Sequence, residues 1–154
     1  MKKFLFRFAA LMKFREHQRD RCQEVLGQLM AEDRRLAEES QSREDMRIEI
    51  LEEIRQTTSE GRIDPRSVAS RRYYAGQLAV EKSQFDQQRL KISAAIKQAR
   101  TLLAEAEAKV KALDRLKDDQ HNEHLQLAYK VADQEMEEAW MAGRLASLSR
   151  EHDS

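Results

Sequence analysis

The sequence predicts an all-α protein: two long helices forming an antiparallel coiled-coil hairpin, with a longer second helix. Three observations predict it. Ala, Glu, Lys, Arg and Leu supply 81 of the 154 residues, a share that marks coiled coils and very long helices. Apolar residues recur at alternating steps of four and three along extended stretches. Only four Gly and one Pro punctuate the chain, too few turn residues for a sandwich, a barrel or a βαβ fold.

Aromatic residues are 6% and charged residues 36% of the chain. Such a composition buries one apolar stripe per helix, not a thick globular core. The length suits a single domain spanning residues 1–154. The one strong breaker is Thr57-Thr58-Ser59-Glu60-Gly61-Arg62-Ile63-Asp64-Pro65. Gly61 can take the left-handed conformation that ends a helix. Asp64 can cap the next helix, with Pro65 at its first position, where a missing N–H costs nothing. Helix 1 is therefore expected over about 4–59, the turn over about 60–64 and helix 2 over about 65–147. Gly27, Gly76 and Gly143 stand alone and are tolerable inside helices at about 1 kcal/mol each.

Helix 1 offers a seam of Phe4, Phe8, Leu11, Arg15, Gln18, Cys22, Val25, Leu29, Glu32, Leu36, Glu39, Arg43, Met46 and Ile50. Helix 2 offers Ile92, Ile96, Ala99, Leu103, Ala106, Val110 and Leu113 without a polar interruption. A short connection favours antiparallel neighbours. Charge agrees. Residues 1–21 carry net +5 and 22–60 net −6, while 64–102 carry net +5 and 103–123 net −2. Folding back at Gly61 sets opposite signs side by side. Exposed ion pairs are each worth about 0–1 kcal/mol, so charge selects orientation and register while the apolar seam supplies the association energy. The same seams could pair within one chain or between two.

On this reading the pairing runs out near residue 121. Beyond it lie Leu125, Leu127, Tyr129, Val131, Met136, Trp140, Met141 and Leu145. That many apolar groups on an unpaired helix point to a protein partner. Trp140, the one tryptophan, is either an exposed partner anchor or a residue packed in a self-made bundle.

Chemistry is sparse. Zero net charge, from 28 basic and 28 acidic residues, argues against a nucleic-acid partner despite Arg71, Arg72, Lys97 and Arg100. No Gly-x-x-x-x-Gly-Lys-Ser/Thr loop is present, so ATP chemistry would belong to a partner. A slender helix pair has no water-excluding pocket for a nucleophile or a small-molecule substrate. The expectation is therefore a protein that is not an enzyme and needs no cofactor. His121 and His124 sit three apart on helix 2. They read as surface histidines, because a structural metal site needs about four ligands. Cys22, the single cysteine, reads as seam filler and suits a reducing compartment. No apolar run reaches the roughly 18 residues of a membrane-spanning helix. The opening imitates a signal peptide, but Arg7 and Lys13 interrupt its apolar stretch and no small-x-small site follows, so it reads as retained. Its Phe4, Phe8, Leu11 face, with Lys2, Lys3, Arg7 and Lys13, could lie on an anionic membrane. The favoured alternative packs it on helix 2 near residues 113–120, beside Leu113 and Leu116.

The opening Lys3-Phe4-Leu5-Phe6-Arg7-Phe8-Ala9-Ala10-Leu11-Met12-Lys13-Phe14-Arg15-Glu16 resembles the start of the flagellar export protein FliJ family. Tyr73-Tyr74 and Leu78, following the Gly-containing turn, are a second point of likeness. The resemblance implies a cytoplasmic antiparallel coiled coil associated with the inner membrane through the flagellar type III export apparatus. Such proteins insert into the hexameric export ATPase, contact the export gate membrane protein and bind export chaperones. It further implies that Lys3, Phe4, Arg7, Leu127, Val131 and Trp140, at the termini end, meet the ATPase. Tyr73, Tyr74 and Leu78, at the turn end, would meet the gate. The stalk of a type III secretion injectisome shares this plan. The rival reading from the residues alone is a generic coiled-coil tether or scaffold, in which Tyr73 and Tyr74 simply pack at the turn.

Overall fold

The computed structural model describes residues 2–61 and 64–153. Two helices, α1 (Ala9–Ser59) and α2 (Pro65–His152), pack against each other, with no strand among the described residues. The chain is all-α, and its 88-residue second helix is longer than its 51-residue first. It divides into two compact units, Gln18–Ala106 and the pair Met1–His17 with Glu107–Ser154, where one domain was expected.

In the first unit the turn follows the capping chemistry. Gly61 has φ 72°, a left-handed value that costs a residue with a Cβ about 1–2 kcal/mol. The last turn of α1 has no basic side chain, and its own hydroxyls occupy some of its carbonyls. Thr57 Oγ1 donates to Glu53 O at 2.7 Å, and Thr58 Oγ1 donates to Ile54 O at 2.8 Å. Asp64 Oδ1 accepts from the Arg66 N–H at 3.1 Å, and the Asp64 carbonyl accepts from the Val68 N–H. Asp64 is thus the N-cap and Pro65 the first helical residue. Arg62 and Ile63, within the turn expected at 60–64, lie outside the described residues.

The partner-facing row of α1 in this unit is Arg19, Cys22, Leu26, Leu29, Asp33, Leu36, Ser40, Arg43, Arg47, Ile50, Ile54 and Thr57. Of the ten expected seam positions from Gln18 to Ile50, five are correct: Cys22, Leu29, Leu36, Arg43 and Ile50. The alternate positions are one residue off. Val25 and Met46 are 50% and 40% exposed, and Leu26 and Arg47 take their places. On α2 the facing row is Arg71, Ala75, Leu78, Lys82, Phe85, Arg89, Ile92, Ile96, Ala99, Leu103 and Ala106, which contains the expected apolar run as far as Ala106.

Polar seam positions are matched across the two helices. Ser40 Oγ, in a residue only 6% exposed, donates to Asp86 Oδ1 at 2.6 Å. Arg43 Nε donates to Glu81 Oε2 at 2.7 Å, with its guanidinium 5.5 Å from the Phe85 ring centroid. Arg89 Nε donates to Asp33 Oδ1 at 3.1 Å. The partner of a rising residue number on α1 falls on α2, which is the antiparallel register expected from the charge blocks. Arg43 lays its aliphatic stem along the seam while its head reaches a carboxylate.

In the second unit the chain enters α1 later than expected. Residues 2–6 have no regular structure, Arg7 and Phe8 form a turn, and the helix begins at Ala9 instead of near residue 4. Phe4, Phe6 and Phe8 are half-buried, while Lys3, Leu5 and Arg7 are exposed. That is a period of two, which no helix face can satisfy. At the other end α2 continues to His152, beyond the expected stop near 147.

Candidate functional site

Phe4 and the Lys2 carbonyl hold the amino-terminal segment against α2. The Phe4 ring meets His121 edge-on at a centroid distance of 4.9 Å and His124 at 5.6 Å. His124 Nε2 lies 3.0 Å from the Lys2 carbonyl oxygen. A carbonyl only accepts, so the ring nitrogen that faces it carries the proton. For Phe4 the seat expected near residues 113–120, beside Leu113 and Leu116, is corrected here to His121 and His124. Spacing alone gave the signal, since residues three apart share a helix face. Among the described residues no three His, Cys, Asp or Glu side chains are placed to share a metal ion.

Beside this clasp is an open groove of about 620 Å³, lined by Lys2, His124, Leu127, Ala128, Val131, Ala132 and Glu135. Leu127 and Val131 are 61% and 52% exposed. Lys3 is exposed, and Arg7, also exposed, stacks over the Phe8 ring at 5.7 Å. The segment and the groove therefore bring Phe4, Leu127 and Val131 into one neighbourhood. Trp140 lies further along α2, 62% exposed, with the Arg144 guanidinium 5.3 Å from its ring centroid. Every residue from 129 to 153 is exposed. The large apolar side chains of this stretch face solvent, Val131 along the groove and Met136, Trp140 and Leu145 beyond it.

The turn-end set divides. Tyr73 and Tyr74 are 70% and 51% exposed, whereas Leu78 is 2% exposed. Leu78 was expected at a surface with the tyrosines and is instead seam core, because it follows Arg71 and Ala75 on the row that faces α1. Tyr73 has a local role as well, its hydroxyl accepting from Gln77 Nε2 at 2.9 Å.

Electrostatic perturbation is confined to pairing. The Lys82 ammonium, and then the Ser40 hydroxyl, hold the Asp86 carboxyl below its usual value. Hydrogen bonds from Arg35 and Arg47 do the same for Glu32 and Glu44. Each of these shifts comes from a hydrogen-bonded partner on the hairpin surface or seam, a pattern that structural ion pairing produces. No described helix is long and apolar enough to cross a membrane. No protein-family model matches the sequence, and no curated protein or solved structure matches it either.

Proposed function

We propose that this chain is a non-enzymatic stalk and adaptor of a flagellar-type protein export machine. Its amino-terminal segment and the end of α2 bind the hexameric export ATPase. Its turn end meets the export gate membrane protein, and export chaperones are further partners. The protein works in the cytoplasm and is held at the inner membrane through the apparatus. The observation that carries the reading is the uncovered end of α2 from residue 129 to 153, in a chain whose opening resembles the FliJ family. A long helix that keeps Met136, Trp140 and Leu145 in water has a partner to bury them. The ATPase contacts are Lys3, Phe4, Arg7, Leu127, Val131 and Trp140. The gate contact is Tyr73 and Tyr74 without Leu78, whose burial in the seam supports removing it.

Deletion of residues 125–154 tests the reading. Stimulation of hydrolysis and ring assembly by the cognate export ATPase is expected to be lost, while circular dichroism still reports a folded hairpin. Unchanged stimulation by the shortened chain would refute it. Stable self-association with no affinity for the ATPase would instead make the protein a coiled-coil scaffold.

A further inference from the structure

We propose that the last third of α2 docks a partner helix whose apolar stripe is flanked by lysine and arginine. Leu125, Tyr129, Ala132, Met136, Trp140 and Gly143 follow one another at steps of four, three, four, four and three. At about 100° per residue they stay within a sector of about 80°. Tyr129, Met136 and Trp140 on this stripe are 67%, 71% and 62% exposed. Within residues 131–143 stand Asp133, Glu135, Glu137 and Glu138, with no Lys, Arg or His among them. Asp133 and Glu137 run along one side of the stripe and Glu135 along the other. Over residues 131–143 the face is thus an apolar strip between acidic edges, with Lys130 before it and Arg144, stacked over the Trp140 ring, after it.

That charge pattern selects the occupant. A second copy laid antiparallel about Met136 would bring Glu137 beside the copy's Asp133, and a parallel copy would bring Glu135 beside the copy's Glu137. Like charges at such positions are unfavourable. An anionic lipid surface meets the same acids. A helix with basic flanks meets complementary charge on both edges and offers the apolar ridge that the stripe lacks. Ala132 and Gly143 leave room for larger partner side chains, and a Cβ added at Gly143 would meet nothing within 4 Å.

The inference deepens the proposed role of this segment in partner docking and rests on it. The full chain is titrated with a synthetic helix of about three heptads, leucine on its stripe and lysine or arginine on its flanks. A twin with glutamate flanks is titrated beside it. Trp140, the one tryptophan, reports burial by its emission. Expected are a saturable blue shift with the basic helix, weakening as salt rises, and binding at least about tenfold weaker by the twin. A chain carrying Glu135→Lys with Glu137→Lys should prefer the twin. Met136→Asp should abolish the shift with helicity intact by circular dichroism. Equal binding of both helices, no shift with either, a shift that follows chain concentration alone, or a shift with phosphatidylserine vesicles would each overturn the inference. Basic-helix binding by a chain whose 125–154 deletion leaves ATPase stimulation unchanged would uphold this chemistry and refute the export role. Loss of stimulation on deletion, with no shift by the basic helix, would do the reverse.

Discussion

Leu36 in α1 and Met136 in α2 stand on equally regular helix, yet one is 1% and the other 71% exposed. The stretch around Leu36, within Gln18–Ala106, has a facing helix that supplies Phe85, Asp86 and Arg89. The stretch around Met136 has none. Regular backbone is common to both, because i→i−4 hydrogen bonds and helix-favouring residues need no neighbour. Burial is what differs, and it separates residues that hold the hairpin together from residues that do not.

The largest effect that sharpens this contrast is a pair of truncations. Leu36→Ala is expected to cost about 2–4 kcal/mol, from lost burial and the cavity left behind. Met136→Ala should move the urea midpoint by less than about 0.5 kcal/mol equivalent. Comparable losses for the two would mean that the end of α2 is covered in solution, and the contrast would fail.

Glycine substitutions should act with opposite signs. Gly61→Ala forces a Cβ into a left-handed turn and should destabilise by about 1 kcal/mol. Gly143→Ala sits in open helix and should raise local helix stability by up to about 1 kcal/mol. Amide hydrogen exchange checks the second locally, and urea unfolding checks the first globally. A stabilising Gly61→Ala would show that the turn is not held in this conformation.

The smallest expected effect is acid sensitivity. Glu32, Glu44 and Asp86, whose carboxyls are held below their usual values, all belong to the Gln18–Ala106 unit. A lowered folded-state value adds stability that is complete above the ordinary carboxylate range and is lost as pH falls through it. The urea midpoint should be level above about pH 5 and fall below about pH 4. Ser40→Ala removes one of the hydrogen bonds holding Asp86 down, so its acid fall should be shallower, on a baseline lowered by about 1 kcal/mol. An unchanged pH profile in that variant would deny the Ser40–Asp86 pairing its part.

Much of this was legible before any coordinates. The breaker at Gly61, Asp64 and Pro65 located the turn, and the Ile92, Ile96, Ala99, Leu103, Ala106 run located the α2 seam. The α1 seam was half legible. Val25 and Met46 are apolar and invited the choice, but a helix carries several near-parallel rows. The row that faces inward is settled by what the other helix presents: Asp86 opposite Ser40, and Phe85 with Glu81 beside Arg43. A polar residue is an acceptable seam member only when its partner is already in place, and sequence spacing on one helix does not contain that information. Leu78 escaped for the same reason, since its neighbourhood with Tyr73 and Tyr74 in sequence concealed that it points along a different row. The opening was read as the start of a helix with Phe4, Phe8 and Leu11 on one face, and the Phe4, Phe6, Phe8 alternation emerged only where Phe4 meets the His121 and His124 rings.

Composition and periodicity by themselves determined that this chain is helical, where it turns, and that its charge blocks favour an antiparallel return, because propensity, capping and patterning are local properties. Tertiary structure alone decided which row of α1 is buried, that Leu78 is core, and that Phe4 rests on two histidines. Burial depends on atoms brought together from distant parts of the chain, and only the fold states which atoms those are.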